Sequence, residues 1–428
     1  MYSLAIYLYM LCVNVASLFK RKARLMMQGH RQTYRILREQ IDPGAKYIWF
    51  HAASLGEFEQ GRPLMEQIRR EYPQYKILLT FFSPSGYEVR KDYKGADVIC
   101  YLPFDTALNA RKFLRLARPS MAFFIKYEFW QNYLAALHRR HVPVFSVSSI
   151  FRPNQIFFRK YAKPYSRVLR CFTRFFVQNE DSRKLLVQHG ISNVTVVGDT
   201  RFDRVIRIHD ESKPLPLVES FVRSASPKER ILVAGSTWQP DEDIIIDFFN
   251  RHPEQKLILA PHVVSEAHLL EIESKLKRPS LRYTRATAGN AADADCLIVD
   301  CYGLLSSIYR YGHIAYVGGG FGAGIHNVPE AAVYGIPVII GPNNENFREA
   351  QNLLDLGGCF EIKDIDTYGR LMQHFTSDND FLQEAGKRAR NYIVGNAGAT
   401  EMVFRMIDFD NLPTYEELPN ASSFTGLR

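Results

Sequence analysis

The sequence predicts an α/β protein made of two doubly wound, Rossmann-like domains, and three observations carry that prediction. Short apolar runs alternate with helical patterns through both halves of the chain, the signature of parallel sheets covered on both faces. Between the halves, residues 199–216 loosen into charged, proline-containing sequence before a fresh apolar run opens at Ile231. At 428 residues the chain is long for one core, and two domains of about 200 residues each are the natural expectation.

In the first half, residues 47–51 read as a strand, and the following Ala52-Ala53-Ser54-Leu55-Gly56-Glu57 leads into a helix toward Arg70. Further strands are expected at 77–82, 98–101, 121–125, 144–147 and 175–177. The second half repeats the theme at 231–234, 257–260, 296–299, 314–317 and 338–340. Residues 385–406 read as helix, and the polar stretch after Leu412, with Pro413, Pro419 and Gly426, reads as a tail whose last dozen or so residues are poorly ordered.

The stretch Gly318-Gly319-Gly320-Phe321-Gly322-Ala323-Gly324 falls between the strand ending at Val317 and a short helix at 328–334 with Pro329 in its first turn. Glycines let a ligand approach the backbone, and the N–H groups of a helix start favour a phosphate. Asn327 and Glu330, three residues apart, share one face of that turn. Strand 338–340 ends beside them in Gly341-Pro342, and neighbouring strand ends form the crevice where such sheets hold ligands. A glycine-rich turn with no ligand is the plain alternative; the surrounding context argues for a nucleotide.

The formal net charge is +9, and its placement narrows its meaning. Residues 1–19 carry no charge, and Lys20, Arg21, Lys22, Arg24, Arg31, Arg35 and Arg38 follow before the first acid, Glu39. As a helix the uncharged run would be about 28 Å long, just enough to cross a hydrocarbon core, with the basic cluster on the cytoplasmic side. A cleaved signal peptide has its positive charges ahead of the apolar run. A retained anchor is therefore expected, spanning the bilayer or lying on it, and the basic excess needs no nucleic acid. Six cysteines without a C-x-x-C pair fit reduced thiols, and no structural zinc site is expected.

Two α/β domains facing each other across a cleft, one for an acceptor and one for a nucleotide, describe the GT-B architecture of glycosyltransferases. The resemblance then becomes specific. The runs Phe50-His51-Ala52-Ala53-Ser54-Leu55-Gly56-Glu57, Tyr127-Glu128-Phe129-Trp130-Gln131-Asn132, Gly198-Asp199-Thr200-Arg201-Phe202-Asp203 and His326-Asn327-Val328-Pro329-Glu330 resemble the bacterial, lipid A-specific 3-deoxy-D-manno-octulosonic acid (Kdo) transferases. The N-terminal anchor is similar as well, so the likeness covers nearly the whole chain. The expected organisation is an apolar anchor and basic collar over 1–38 and an acceptor-binding domain over 39–205. A linker over 206–225, a nucleotide-sugar domain over 226–410 and a polar tail over 411–428 follow.

Glu57 carries two readings. Ser54-x-x-Glu57 is a capping box, in which the carboxylate only bonds back to the Ser54 N–H. A carboxylate held ionised at a helix start also suits a general base, and the resemblance implies that role. For Glu128, by position a helix-start acid, it implies transition-state stabilisation. Arg201 stands where the family pattern usually has lysine, so a cation is kept while its contact geometry with phosphate changes. By resemblance, Pro261, His262, Tyr302, Gly303 and Leu304 touch the cytidine and its phosphate. Leu304 replaces the acid of the usual pattern. With Asn327, Val328 and Pro329, Glu330 completes the expected nucleotide site. Asp-x-Asp pairs at 241/243, 293/295, 364/366, 378/380 and 408/410 lie at no convincing strand end, so neither metal nor cofactor is expected.

What the resemblance implies is an inverting transfer of Kdo from CMP-Kdo to a lipid A precursor at the cytoplasmic face of the inner membrane. Rival readings are a UDP-sugar-dependent transferase or epimerase of the same fold, and a non-catalytic, membrane-tethered sugar-nucleotide binding protein.

Overall fold

The computed structural model describes residues 2–159, 163–226, 229–415 and 417–418. The chain divides into two units, Met1–Asp203 with Gly398–Arg428, and Arg204–Ala397. The first unit holds β1 (Tyr47–His51), β2 (Lys76–Phe81), β3 (Val98–Tyr101), β4 (Pro119–Ile125), β5 (Val144–Ser149), β6 (Arg174–Val177) and β7 (Val194–Val196). Its helices are α1 (Tyr2–Phe19), α2 (Arg21–Gln40), α3 (Leu55–Glu71), α4 (Pro84–Arg90), α5 (Ala107–Ala117), α6 (Gln131–Arg139), α7 (Lys163–Ser166) and α8 (Glu180–Gln188), and α9 (Thr200–Glu211) starts in it. The strands form one parallel sheet in the order β3-β2-β1-β4-β5-β6-β7. Every residue of β1 and β4 is buried, which is why both read as unbroken apolar runs rather than alternating ones.

The second unit repeats the plan with β8 (Arg230–Thr237), β9 (Gln255–Pro261), β10 (Ser280–Arg282), β11 (Cys296–Ile298), β12 (Ile314–Val317), β13 (Val338–Ile340) and β14 (Cys359–Glu361). The helices are α10 (Pro216–Arg223), α11 (Gln239–Arg251), α12 (Glu266–Lys275), α13 (Leu305–Ile308), α14 (Val328–Ala332), α15 (Arg348–Asp355), α16 (Ile365–Ser377) and α17 (Asn379–Gly395). Its strand order is β10-β11-β9-β8-β12-β13-β14, again parallel. The order reverses between β1 and β4 in one sheet and between β8 and β12 in the other, so each has one crevice beyond its strand ends suited to a ligand. Strands β7, β10 and β14 escape the sequence pattern. Each is three residues long and lies at a sheet edge, where little apolar surface is required.

The expected domain boundaries need correction at three places. Residues 206–225, expected as a linker, consist mainly of the end of α9 and all of α10, and the division falls inside α9. The chain does not stay in the second unit to residue 410 but returns to the first at Gly398, where α18 (Ala399–Arg405) begins. Val403, Phe404, Phe409 and Leu412 pack into the core beneath α3, Tyr75 donates its hydroxyl hydrogen to the Phe409 carbonyl at 2.5 Å, and Asp203 accepts from the Thr400 N–H at 2.6 Å. The expected polar tail thus begins inside a core, with Leu412 and Leu418 both buried; residues 419–428 lie outside the described residues.

At the N-terminus, α2 is an amphipathic helix that buries Met26, His30, Thr33 and Leu37 and exposes Arg31, Arg35 and Arg38. Helix α1 is long and apolar enough to cross a membrane. One side of it rests on the first unit, through Val13 against Met26 and Phe104 and through the Tyr2 hydroxyl on Asp105 at 2.6 Å. The other side exposes Leu4, Leu8, Leu11, Val15 and Leu18, a single stripe at helical spacing.

Candidate functional site

In the first unit the candidate residues gather at the β1/β4 reversal. The chain leaves β1 at His51 and turns into α3 at Ser54, whose N–H and hydroxyl both donate to Glu57 Oε2, at 2.9 and 3.2 Å. The capping box therefore exists, and it uses one oxygen. Glu57 Oε1 takes no hydrogen bond among the described residues. Burial pushes the Glu57 carboxyl up and the Glu128 charge pushes the same way. The Ser54 N–H and the Lys126 ammonium pull back, and the group settles at about 7.

Glu128 follows β4 after Lys126, which holds the left-handed conformation (φ 65°) that turns the chain back over the strand ends. Its Oε2 accepts from Trp130 Nε1 at 2.6 Å and faces His51 Nε2 at 3.1 Å. Behind it, Trp49 Nε1 donates to Thr80 Oγ1 at 2.8 Å, His51 Nδ1 meets Thr80 Oγ1 at 2.9 Å and the Thr80 carbonyl at 3.2 Å, and Trp130 Nε1 also lies 3.0 Å from His51 Nε2. Asp105 fixes the start of α6, accepting from the N–H groups of Asn132 and Tyr133 at 3.0 Å each, and so holds the Trp130 loop in place.

Arg201 stands on the first turn of α9, its guanidinium on Asp199 at 2.8–2.9 Å. Asp199 is buried and also meets the Gln60 amide, one turn beyond Glu57 on α3. The arginine is thus positioned by a carboxylate rather than solvated as a linker charge.

In the second unit the β8/β12 reversal brings Trp238, Asp241 and the glycine stretch together. Buried Asp241 accepts from the Trp238 and Gly319 N–H groups, each at 2.9 Å, and from the Tyr316 hydroxyl at 2.6 Å. Pro261 ends β9, and the His262 ring stacks against both Trp238 (centroids 4.7 Å apart) and His326 (4.4 Å), which meet edge to edge. Trp238 Nε1 donates to His326 Nε2 at 3.1 Å. Burial lowers the pKa of both histidines, so this stack of three rings is held uncharged. Glu330 is engaged at both oxygens, Oε1 by the Asn327 amide at 2.7 Å and Oε2 by the Ser306 hydroxyl at 2.8 Å. Tyr302 is exposed, its hydroxyl accepting from the Val264 N–H at 3.2 Å; Gly303 has φ 92°, and Leu304 opens α13.

Two expectations about the glycine stretch change. Helix α14, with Val328 and Pro329 buried in its first turn, is only five residues long, so its macrodipole is slight. The glycines answer first to the protein. A Cβ on Gly318 would lie 2.6 Å from Thr237 Cα, and one on Gly320 2.6 Å from Gly341 Cα. Strand ends β8, β12 and β13 approach so closely there that only glycine fits, whereas Gly322 has room.

Each Asp-x-Asp pair contains a residue with a structural task. Asp241 ties down the glycine stretch, Asp364 and Asp378 cap helices, Asp408 closes a turn at Asn411 and Asp295 pairs with Arg278. Among the described residues, no three His, Cys, Asp or Glu side chains converge as a metal-ligand set.

The sequence reading does not single out His51, Lys126 or Trp130 in the first unit, nor Trp238, Asp241 and Ser306 in the second, as site residues. His51 is masked by its place at the end of a wholly buried strand, and Trp238 by following one. The signal available is a polar or aromatic residue at the C-terminal end of a central parallel strand.

Two doubly wound units with polar clusters at both reversals define a GT-B-type protein. The fold is shared with UDP-GlcNAc 2-epimerases, from Neisseria meningitidis (TM-score 0.57, 11% identity, 84% of this chain and 98% of that one) and Methanocaldococcus jannaschii (0.52, 13%, 81% and 98%). The family described as 3-deoxy-D-manno-octulosonic-acid transferase (kdotransferase) matches residues 21–204. Curated 3-deoxy-D-manno-octulosonic acid transferases align with most of the chain. That of Aquifex aeolicus is 27% identical over 74% of this chain and 82% of its own length, and that of Haemophilus influenzae 23% over 85% and 87%. Over residues 21–204 the chain matches the Kdo transferase family, along most of its length it is similar to curated Kdo transferases, and it is a glycosyltransferase.

Proposed function

We propose that the protein transfers Kdo from CMP-Kdo to a sugar hydroxyl of a lipid A precursor, with inversion at the anomeric carbon. Glu57 carries the reading. Its Oε2 is fixed by the cap, its Oε1 is open, and its carboxyl sits at about 7, where a general base both accepts a proton and is substantially ionised at neutral pH. In the proposed step Oε1 removes the acceptor hydroxyl proton and the oxygen forms its bond to the anomeric carbon. The bond from that carbon to the CMP oxygen breaks, and the electron pair leaves with the phosphate. Glu128, held by Trp130 and His51, keeps Glu57 basic, and Arg201 supplies positive charge for a phosphate.

In the second unit the Trp238–His262–His326 stack offers an uncharged aromatic face to a pyrimidine, while Glu330 stands where ribose hydroxyls would exchange with Ser306 and Asn327. Helix α1, resting on the first unit along one side, is proposed to lie in the bilayer interface with its Leu4–Leu18 stripe inward, at the cytoplasmic face where the basic α2 meets anionic lipid. Incubation with CMP-Kdo and a lipid A precursor, followed by mass spectrometry, tests the reading. An added Kdo mass is the expected result; no product with CMP-Kdo, or product only with a UDP-sugar, would overturn it.

A further inference from the structure

Away from both reversals, helices α5 and α6 of the first unit flank a solvent-open cavity of about 570 Å³ whose wall carries Arg111, Lys112, Arg115, Arg139 and Arg140, with Leu114 beneath them. No carboxylate lines it. Among the described residues none of the five cations has an ion pair or a side-chain hydrogen bond; Lys112 lies over the Tyr34 ring at 4.0 Å and Arg140 over Tyr415 at 4.8 Å. Cations at the end of a helix complement its dipole, which accounts for Arg115, Arg139 and Arg140. It does not account for Arg111 and Lys112 in the middle of α5. Arg111 and Arg115 are one turn apart on α5, and Arg139 and Arg140 close α6, so both helices bring cations to a shared space. Five unpaired cations around one concavity repel one another, and an anion would relieve that repulsion.

We propose that this cavity is a binding site for a phosphate-bearing anion with more than one charge. The arginine forks match phosphate oxygens in pairs, and the volume exceeds what a single phosphate fills. The cavity also borders α2, through the Tyr34 hydroxyl on Asn109 at 2.9 Å, so either a lipid headgroup or a soluble phosphate could supply the chemistry.

The test uses the full chain, a double variant Arg111→Gln/Arg115→Gln and a control of equal charge loss in the second unit, Arg223→Gln/Lys277→Gln. Inorganic pyrophosphate is titrated calorimetrically, and vesicles of phosphatidylcholine with and without phosphatidic acid are co-floated with each protein. The cavity variant should bind pyrophosphate on the order of tenfold more weakly than wild type while melting normally, and the control should not. Loss confined to pyrophosphate identifies a soluble source; an added loss on phosphatidic acid vesicles identifies a headgroup. Wild-type binding by the cavity variant in both assays, or equal losses in the control, would overturn the proposal.

Discussion

Trp130 Nε1, from the loop after β4, and His51 Nε2, from the end of β1, converge on a single oxygen of Glu128, at 2.6 and 3.1 Å. The charge thereby fixed at Glu128 is one of the two causes that lift Glu57 to about 7, the larger being burial. Acid strength at Glu57 is thus set by residues that need not touch the acceptor.

The first prediction is a pair of opposite pH shifts. With Glu57 at about 7, kcat/KM should rise with pH as that carboxyl loses its proton. Glu128→Gln removes a negative neighbour and should move the acidic limb to lower pH; Lys126→Met removes a positive one and should move it higher. Native stability carries the same signature. Glu57 binds its proton more tightly folded than unfolded, so its contribution is full below 4.5 and is lost as pH rises toward 7. Glu57→Gln should abolish that slope and cut turnover on the order of a hundredfold or more. Profiles that neither neighbour moves would show that Glu57 is not the group being titrated.

Trp130→Phe keeps the ring and removes the donor. A hydrogen bond to a charged group is worth about 1.5–3 kcal/mol, so turnover should fall by roughly ten- to a hundredfold with CMP binding intact. Unchanged turnover in steady-state assays would assign Trp130 to packing alone, which its contact with Phe82 at 4.6 Å would then explain.

At the nucleotide end, Glu330→Ala should weaken CMP binding by about 1.5–3 kcal/mol. It should also lower the melting temperature, because Ser306 and Asn327 both lose their acceptor. Ser306→Ala separates the two effects. Stability should drop by about 1 kcal/mol, while Oε2, released, binds CMP at least as well. Calorimetry on both variants decides between a ribose acceptor and a purely structural carboxylate.

The glycines give a contrast inside one loop. Gly318→Ala and Gly320→Ala force a Cβ against backbone and should cost about 1–3 kcal/mol or more in unfolding of the second unit. Gly322→Ala, with its nearest neighbour at 3.7 Å, should cost far less. A strong loss of CMP affinity in Gly322→Ala at normal stability would restore ligand approach as the reason for glycine there.

These cases show what was legible in the sequence. Central strands such as β1 and β4 announce themselves because burial on both faces demands unbroken apolar runs, and Glu57 announces itself by its place after one. The capping box and the base looked like competing readings because a sequence does not show that a carboxylate has two oxygens facing different partners. The three-residue edge strands β7, β10 and β14 stay hidden for want of apolar length, while the longer edge strand β3 does not. The return of residues 398–412 to the first unit stays hidden because an amphipathic helix such as α18 does not state which core it covers. Glycines 318 and 320 read as room for a ligand, whereas the atoms that approach them belong to the protein.

The last prediction concerns α1, whose two sides make separable contributions. Its inner side meets the first unit through Val13, Met10 and the Tyr2 hydroxyl on Asp105, the residue that also fixes the start of α6. Burial raises the Asp105 carboxyl, so losing one of its donors should loosen the Trp130 loop as well as the helix. Tyr2→Phe should therefore lower turnover modestly, by a few-fold, while vesicle binding is unaffected, since the exposed stripe is intact. Leu4→Ser/Leu8→Ser/Leu11→Ser should do the reverse. Removing exposed apolar surface leaves the unit folded and weakens binding to anionic vesicles, with the remaining attraction through α2 becoming more salt-sensitive. Deleting residues 2–19 should combine both losses with a lowered melting temperature. Flotation and turnover measured on the three proteins settle the matter: vesicle binding that survives the serine variant at high salt would show that the stripe does not face lipid.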